Sequence, residues 1–549
     1  MNHQVDTHEV FNQPTPLERY NAYTSDLVLQ HYVNRFALGR GKKTLIRYGQ
    51  LVGHELQAAG FDANHCKPEF HSHDRFGHRV DWVKYHPAYH QLMKTAIEAG
   101  HHSLPWVDNR PGTHTVRAAI EYLHTQADPG SGCPLSMTFS SVPAIRKQPD
   151  IAQDWLPKIT ANHYDPRNLP FYEKRGLTIG MAMTEKQGGS DVRSNTTHGS
   201  PLGIGGPGKT YELVGHKWFC SAPMCDAFLV LAKTDHGLSC FLLPRWRPDG
   251  SKNQMLIQRI KDKMGNVSNA SAEVEYRGAF AWMIGEEGQG IRTILEMVSM
   301  TRFDCMVCSS ALMGLASAQA LHHTAGRSAF GRGLHEQPLM QNVLTDLAVE
   351  AESALAISMR LAQALDQDDA SEQALFRIGA AIGKYWICKR APQHTFEAME
   401  SIGGVAVVED NVLARLYRES PINAIWEGSG NIQCLDVARA IKKTPEALDI
   451  FLLELEKAKH QLPLYDKAID KFKRTLALNH SHERSLRRQV ETMALLWQAA
   501  TLIQFSVSYV AEAFVASRLA AEHGYMYGTM PEHTAFREIM ARAKPNIRS

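Results

Sequence analysis

The sequence predicts an α+β protein of several domains, in which a helical domain, a middle antiparallel β domain and a second helical bundle are followed by an extra C-terminal helical domain. Three observations support this prediction. At 549 residues the chain is too long for a single hydrophobic core. Its apolar content of 44% and charged content of 21% are typical of globular proteins. The spacing of apolar residues is helical, then strand-like, then helical again.

The first helical domain is expected over residues 1–168. Segments 86–100 and 116–126 have helical apolar spacing, with Pro- and Gly-bearing joints between them. The first fourteen residues lack a basic start followed by an apolar stretch, so we expect no secretory signal and a cytoplasmic protein. A His-rich stretch lacks the spacing of a metal site, and no metal is expected at His71, His73, His78, His86 and His90.

The middle β domain is expected over residues 169–285. Short runs rich in β-branched and aromatic residues predict strands at 211–214, 228–232 and 239–243. Five glycines in 199–208 predict a turn between strands.

The second helical bundle is expected over residues 286–445, with antiparallel neighbours joined by short loops. Two sets of apolar residues at helical spacing are expected to face its core: Ile291, Ile294, Leu295 and Val298, and then Leu339, Val343 and Leu347. Cys305 and Cys308 lie in this pattern as buried apolar residues. The nine cysteines are scattered, which indicates reduced thiols rather than a disulfide framework.

The extra helical domain is expected over residues 446–549. Its uncharged stretch 492–511 is interrupted by Gln and Ser side chains, which predicts a buried bundle helix and no membrane span. Residues 451–549 carry 14 Lys and Arg against 10 Asp and Glu, a balance of +4 in a chain of net charge +2. Either a polyanionic partner or an ordinary solvated helix face would account for this excess.

Four segments carry groups suited to a planar ligand that bears phosphates. The loop 181–191 combines hydroxyls with glycines, whose bare backbone permits close approach. Segment 215–221 supplies Trp218 and Phe219, and one of these aromatics either covers a ligand ring or belongs to the core. Arg327, after a helix, is suited to a pyrophosphate, and the pair Gly403-Gly404 leaves room against the backbone.

These segments resemble, in order and spacing, motifs of the acyl-CoA dehydrogenase family over residues 130–440. Further matches are Lys261–Gly265, Arg327–Gly331 and Ile425–Gln433. The resemblance implies FAD between the β domain and the second helical domain, and a homotetramer in which Arg327 reaches a neighbour's FAD. The cofactor-binding residues it implies are Met183, Thr184, Gly189, Ser190, Trp218, Phe219, Ser221, Arg327, Phe330, Gly403, Gly404, Ile425, Trp426, Gly428, Ser429 and Asn431.

The same resemblance implies that Glu427 is a catalytic base that removes the α proton of an acyl-CoA thioester, with Arg302 orienting the glutamate or the substrate. A buried carboxylate beside an acyl chain should have a raised pKa. Three departures from the usual family pattern lie around the cofactor and the pocket wall: Lys186-Gln187, Phe219 and Val405–Val407. Weak dehydrogenase activity is therefore expected.

Both ends of the chain resemble the AidB-type branch of the family, which belongs to the bacterial adaptive response to DNA alkylation. Phe11–Leu17 at the start, segment 300–305 and the added helical domain after about residue 445 carry this likeness. It implies binding of double-stranded DNA, in DNA repair or protection, by a basic surface made of Arg439, Lys442, Lys443, Lys471, Lys473, Arg474, Arg484, Arg487 and Arg488. A metabolic acyl-CoA dehydrogenase and a non-catalytic, flavin-containing DNA-protection protein are the alternatives.

Overall fold

A computed structural model of the chain describes residues 7–478, 482–520 and 522–547. The expectation of no secretory signal rests partly on residues 1–6, which lie outside the described residues.

The N-terminal part of the described chain contains eight α-helices and a β-hairpin. The helices are α1 (Leu27–Phe36), α2 (Lys42–Leu51), α3 (Gln57–His65), α4 (Pro87–Glu98), α5 (Leu104–Val107), α6 (Thr113–Ala127), α7 (Pro129–Ile145) and α8 (Pro149–Ile159), and the hairpin is β1 (Glu69–His73) and β2 (Arg79–Lys84). Helices α4 and α6 confirm the two predicted helical segments. The hairpin was not predicted, because no residue of β1 is buried and its sequence therefore lacks apolar alternation.

The middle part is a seven-stranded sheet. Its strands are β3 (Ile179–Ala182), β4 (His198–Pro201), β5 (Thr210–Ser221), β6 (Ala227–Thr234), β7 (Gly237–Pro244), β8 (Met255–Ile260) and β9 (Ser271–Ile284). They confirm the three predicted strands. Because β6 pairs with both β4 and β7, the strands β4, β5, β9, β7 and β6 close into a ring. Most strand pairs are antiparallel, as predicted for this domain, but β3 and β4 run parallel to β6. Apolar alternation reports burial and carries no information on strand direction.

The second helical part is built on three long helices that pack on one another, α9 (Gly290–Ala325), α10 (Pro338–Leu365) and α11 (Ala370–Ile402). A short hairpin, β10 (Ser328–Ala329) and β11 (Arg332–Gly333), joins the first two, and α12 (Val412–Glu419), α13 (Ile422–Ile425) and α14 (Gly430–Lys443) follow. In the described residues α9 is the one helix long and apolar enough to cross a membrane, but 72% of that apolar stretch is buried inside the protein. This is the burial expected of a core helix.

The predicted inward faces are only partly correct. Ile294 and Leu347 are buried, whereas Ile291 and Leu295 are 37% and 41% exposed and Leu339 is 84% exposed. These exposed residues lie in the first two turns of α9 and α10. Helical spacing identifies an apolar stripe but not how much of its length meets a neighbour.

The C-terminal part comprises α15 (Glu446–Glu456), α16 (Pro463–Leu478), α17 (Leu486–Phe505), α18 (Ser508–Phe514) and α19 (Phe536–Ala543). Helix α17 packs against α10 and α11, and its Trp497 is fully buried. The predicted buried helix over 492–511 is confirmed as far as Phe505, and the rest of that stretch breaks at Ser506 and Val507 before α18.

Buried ion pairs connect this C-terminal part to the long helix α10. Arg518 pairs with Asp346 and Glu350, and Arg542 donates to Glu352 at 2.8 Å. Arg360 of α10 reaches in the other direction, to Glu454 of α15 at 2.7 Å, so that charges on α10 are neutralised by α15, by Arg518 beyond α18, and by α19.

Candidate functional site

Glu427 lies in the short connection between α13 and α14, which places it beside the long helix α9. Its backbone has φ of +58°, a left-handed conformation that residues other than Gly, Asn and Asp rarely adopt. Gly428, which follows, has φ of +95°. Oγ1 of Thr301 in α9 donates to Oε2 of Glu427 at 2.8 Å. The turn therefore presents the carboxylate to α9 in a fixed orientation.

Arg302, the second predicted catalytic residue, contacts the backbone of Glu427 rather than its carboxylate. Its Nε donates to the carbonyl oxygen of Glu427 at 3.1 Å, and its Nη1 donates to Asp436 at 2.7 Å. Arg377 grips the same Asp436 with two bonds of 2.7 and 2.9 Å. Burial would raise the pKa of Asp436, but the two guanidinium groups hold that pKa below its ordinary value. Arg302 thus orients the turn.

The surroundings of Glu427 make it a stronger base than an exposed glutamate. Burial raises the pKa of Glu427, and this effect exceeds the opposing influence of Thr301, Lys384 and Arg302. The sequence expectation of a raised pKa agrees with this direction.

Lys384 of α11 closes the turn from its other side. Its ammonium group donates to the carbonyl oxygens of Asn423, Trp426 and Gly428 at 2.7, 2.8 and 3.0 Å, and the residue is 1% exposed. Sequence reasoning missed both Lys384 and Thr301. The available signal was a lone lysine within the otherwise apolar stretch of residues 378–388, because a buried ammonium requires partners.

On the β-domain side, the loop after β3 and the strand β5 bring several cofactor candidates together. Met183, Thr184, Gly189 and Ser190 are in the loop, and the backbone N–H of Trp218 donates to the carbonyl oxygen of Thr184 at 2.8 Å. Neighbouring candidates on β5 are Phe219 and Ser221.

The two aromatic candidates on β5 share a cation. The Nζ of Lys261 lies 3.7 Å from the ring centroid of Trp218 and 4.5 Å from that of Phe219. Phe219 is 48% exposed and Trp218 is half-buried. Neither aromatic is a fully buried core residue, so both remain candidates to contact a flavin.

On the helical side, Gly403 and Gly404 follow the end of α11. A Cβ placed on either glycine would meet no atom within 4 Å, and Gly403 has φ of +90°. In the next candidate segment Ile425 is 67% exposed, Trp426 is partly buried, and Gly428 and Ser429 lie in the turn that carries Glu427.

Asn431 and the pair Arg327 and Phe330 have other partners within the chain. Asn431 accepts a bond of 2.8 Å from Nε of Arg487. Arg327 comes after the end of α9 and donates to the backbone of Asn12 at 3.1 Å. Phe330 is fully exposed. Within one chain, the described contacts do not join Arg327 or Phe330 to the other cofactor candidates.

These residues fit a flavin dinucleotide. The hydroxyls of Thr184, Ser190 and Ser429 make no hydrogen bond to protein within the described ranges, and the backbone at Gly403 and Gly404 is open to a ligand. Across residues 7–478, 482–520 and 522–547, no group of three or more His, Cys, Asp or Glu side chains is arranged to hold a metal ion.

The nine predicted DNA-contacting residues lie on neighbouring helices, because α17 packs against both α14 and α16. Eight are exposed, and the exception, Lys473, is partly buried and paired with Glu456. We call these eight the basic surface: Arg439, Lys442, Lys443, Lys471, Arg474, Arg484, Arg487 and Arg488. The bond from Arg487 to Asn431 places its edge beside the turn that carries Glu427.

Models of known protein families match most of the chain. The model described as the adaptive response protein AidB N-terminal domain matches residues 12–166. The acyl-CoA dehydrogenase middle and C-terminal domain models match residues 180–279 and 288–442. The putative acyl-CoA dehydrogenase AidB of Escherichia coli K12 is 43% identical over 94% of this chain and 95% of its own length. The chain belongs to the AidB-type acyl-CoA dehydrogenase family.

Solved structures agree with this assignment. The Caenorhabditis elegans protein ACDH-11, solved in complex with C11-CoA, superposes with a TM-score of 0.85 at 25% identity and covers 98% of both chains. The protein Bd2924 in its apo form gives a TM-score of 0.82 at 26% identity, over 91% of this chain and all of its own. Membership of the AidB-type family makes this chain an FAD-dependent oxidoreductase by class and confirms the predicted fold class.

Proposed function

We propose that this chain is an FAD-binding protein of the bacterial DNA-alkylation response that binds double-stranded DNA and retains weak acyl-CoA dehydrogenase activity. The observation that carries the catalytic part is the bond from Thr301 to Glu427, which fixes a carboxylate of raised pKa in a left-handed turn. Anaerobic mixing of the purified protein with a panel of acyl-CoAs tests it, since a substrate would bleach the flavin. A protein that no acyl-CoA bleaches would lack this activity.

The proposed reaction removes two hydrogens from the carbons next to a thioester. Glu427 accepts the α proton, and Thr301 holds its carboxylate in place while Arg302 holds its backbone. When bound, FAD would supply the acceptor for the hydride, one hydrogen with its electron pair, that leaves the β carbon. Thr184, Ser190 and Ser429 are the hydroxyls that would hold the cofactor. Partial burial of Glu427 limits its access to water.

The rate of flavin reduction should fall on acidification at a pH above the ordinary glutamate value of 4.5. Only the ionised carboxylate accepts a proton, and burial raises the pKa of Glu427, so the ionised fraction declines at a higher pH than in an exposed glutamate. Stopped-flow measurement of flavin bleaching against pH gives this midpoint. Flavin fluorescence recorded in parallel controls for loss of FAD, and a midpoint at or below 4.5 would contradict the assignment.

The basic surface supports the proposal of DNA binding. Its eight cations project into solvent from adjoining helices, where phosphates can reach them, and a duplex would release counterions from several contacts at once. An alternative, a metabolic acyl-CoA dehydrogenase, predicts efficient bleaching and no salt-dependent duplex binding. A non-catalytic DNA-protection protein predicts duplex binding and no bleaching by any acyl-CoA. Measuring both properties on one preparation distinguishes the three.

We further propose a cytoplasmic homotetramer in which Phe330 contributes to a subunit contact. Phe330 is fully exposed and has φ of +54°, and a bulky apolar residue in this conformation is expected to have a partner. The change Phe330→Asp should lower the mass measured by light scattering and reduce FAD retention. Phe76→Asp, at a residue 69% exposed in the turn between β1 and β2, is the control. A tetramer that persists in Phe330→Asp would refute this contact.

A further inference from the structure

The turn that carries Glu427 requires an explanation beyond its own sequence. Three carbonyl oxygens, of Asn423, Trp426 and Gly428, point to one side of the turn, where α13 ends and α14 has not begun. Carbonyl groups at a helix end lack helical partners and carry partial negative charge. Gln433 of α14 donates to the carbonyl oxygens of Glu427 and Gly428 at 3.1 and 2.7 Å, and Arg302 donates to that of Glu427. In the described residues, Lys384 is the one side chain that donates to the carbonyl oxygens of Asn423 and Trp426.

Lys384 satisfies all three carbonyls. An ammonium group has three donors, and here each donor has one acceptor at 2.7 to 3.0 Å, so the lysine is buried with its hydrogen-bonding capacity filled. We propose that Lys384 is a positioning residue for Glu427. The ammonium group of Lys384 holds the turn in place through its three hydrogen bonds and supplies a positive charge that faces the Glu427 carboxylate. This inference rests on the proposed dehydrogenase chemistry only for its kinetic consequence.

Lys384 makes no ion pair with a carboxylate in the part of the chain that the structure describes, so its charge is not cancelled locally. The other groups that face Glu427 come from different elements. Arg302 and Cys305 belong to α9, and Cys133 belongs to α7. Burial raises the pKa of both thiols, so they are uncharged near neutrality, and Arg302 is already paired with Asp436. Lys384 is therefore the cation whose removal should most affect Glu427.

The change Lys384→Met in the full-length, FAD-loaded protein tests this proposal. The protonation of Glu427 is followed by infrared difference spectra against the same protein carrying Glu427→Gln, which requires no turnover. The Glu427 midpoint should move to higher pH in Lys384→Met because a neighbouring positive charge is lost. Flavin reduction at saturating acyl-CoA should slow by about 100-fold, the effect of a small misplacement of a reacting group. Lys384→Arg should restore part of both properties.

Lys158→Met is the matched control. Lys158 of α8 also donates to two backbone carbonyl oxygens, of Phe171 and Tyr172, at 2.9 Å each, but it does not contact the Glu427 turn. The change Lys158→Met should leave the titration midpoint of Glu427 and the rate of flavin reduction unchanged. If Lys384→Met does not fold, Lys384→Gln retains hydrogen-bond donors without the charge and should still raise the midpoint.

The outcomes separate the two proposals. An unchanged Glu427 midpoint in Lys384→Met or, if that variant does not fold, in Lys384→Gln would overturn the role of Lys384, whatever the rate. A wild-type protein that no acyl-CoA bleaches would overturn the dehydrogenase proposal, and the infrared titration would still decide the role of Lys384. A raised midpoint with an unchanged rate would also overturn positioning, because the carboxylate would then have stayed in place.

Discussion

Glu427→Gln is expected to slow reduction of the flavin by acyl-CoA by about 100- to 10 000-fold, the range attributed to a positioned general base. Glutamine keeps the oxygen that accepts the bond from Thr301 but cannot take up a proton from the substrate. Anaerobic stopped-flow absorbance measures the rate. FAD should remain bound, because the Glu427 carboxylate is hydrogen-bonded to Thr301 and is not one of the groups proposed to hold the cofactor.

Stability distinguishes loss of the base from loss of the fold. Folding raises the pKa of Glu427, so the folded chain retains a proton that the unfolded chain has already released above pH 4.5. The contribution of Glu427 to the free energy of unfolding therefore declines as the pH rises from the pKa of Glu427 in the unfolded chain to its higher pKa in the folded chain. Glu427→Gln should be at least as stable as wild type at neutral pH. Glu409→Gln, an exposed glutamate paired with Arg418, is the kinetic control. Equal rates for wild type and Glu427→Gln would exclude Glu427 as the base.

Reversal of the charges at Arg484, Arg487 and Arg488 is the change expected to weaken duplex binding most. The slope of log affinity against log salt is negative, and each lost phosphate contact makes it less steep by about 0.9. Loss of three contacts should therefore make it less steep by about 2.7. Fluorescence anisotropy of a labelled duplex, titrated at several salt concentrations, measures both affinity and slope. The flavin spectrum should be retained.

A triple reversal at Lys42, Lys43 and Arg47 controls for net charge. These residues are exposed on α2, in the N-terminal part of the chain. Their reversal should leave the slope of log affinity against log salt close to that of wild type. If both triple variants lose the same affinity and slope, binding depends on overall charge and the basic surface has no special role.

Segments with strong apolar periodicity were predictable from sequence, and weakly patterned ones were not. Strands β5, β6 and β7 alternate or are largely apolar, and most of α17 lies in the uncharged stretch 492–511, so apolar patterning alone identified them. Strand β1 has no buried residue and therefore gave no signal. The parallel pairing of β3 with β6 depends on chain path, which periodicity does not report.

The candidate site was partly predictable for a different reason. Glu427 and Arg302 lie in motifs that the family resemblance identified, whereas Thr301, Lys384 and Asp436 act through contacts between residues 39 to 134 positions apart. A lone lysine in an apolar stretch indicates a buried charge, but the sequence does not reveal which carbonyls it meets. Only the packing of α11 against the α13 to α14 connection supplies that information.

The ion pairs on α10 mean that the last hundred residues are not a detachable module. A chain cut after α14 would leave Asp346 and Glu352 as buried carboxylates without their arginines and Glu350 with Arg390 alone, and breaking buried pairs in this way costs several kcal/mol each. Dissection of a catalytic fragment from a DNA-binding fragment should therefore fail at the level of folding. Heat or denaturant should unfold both parts in one cooperative transition, and any evolutionary loss of one part would have required rebuilding α10.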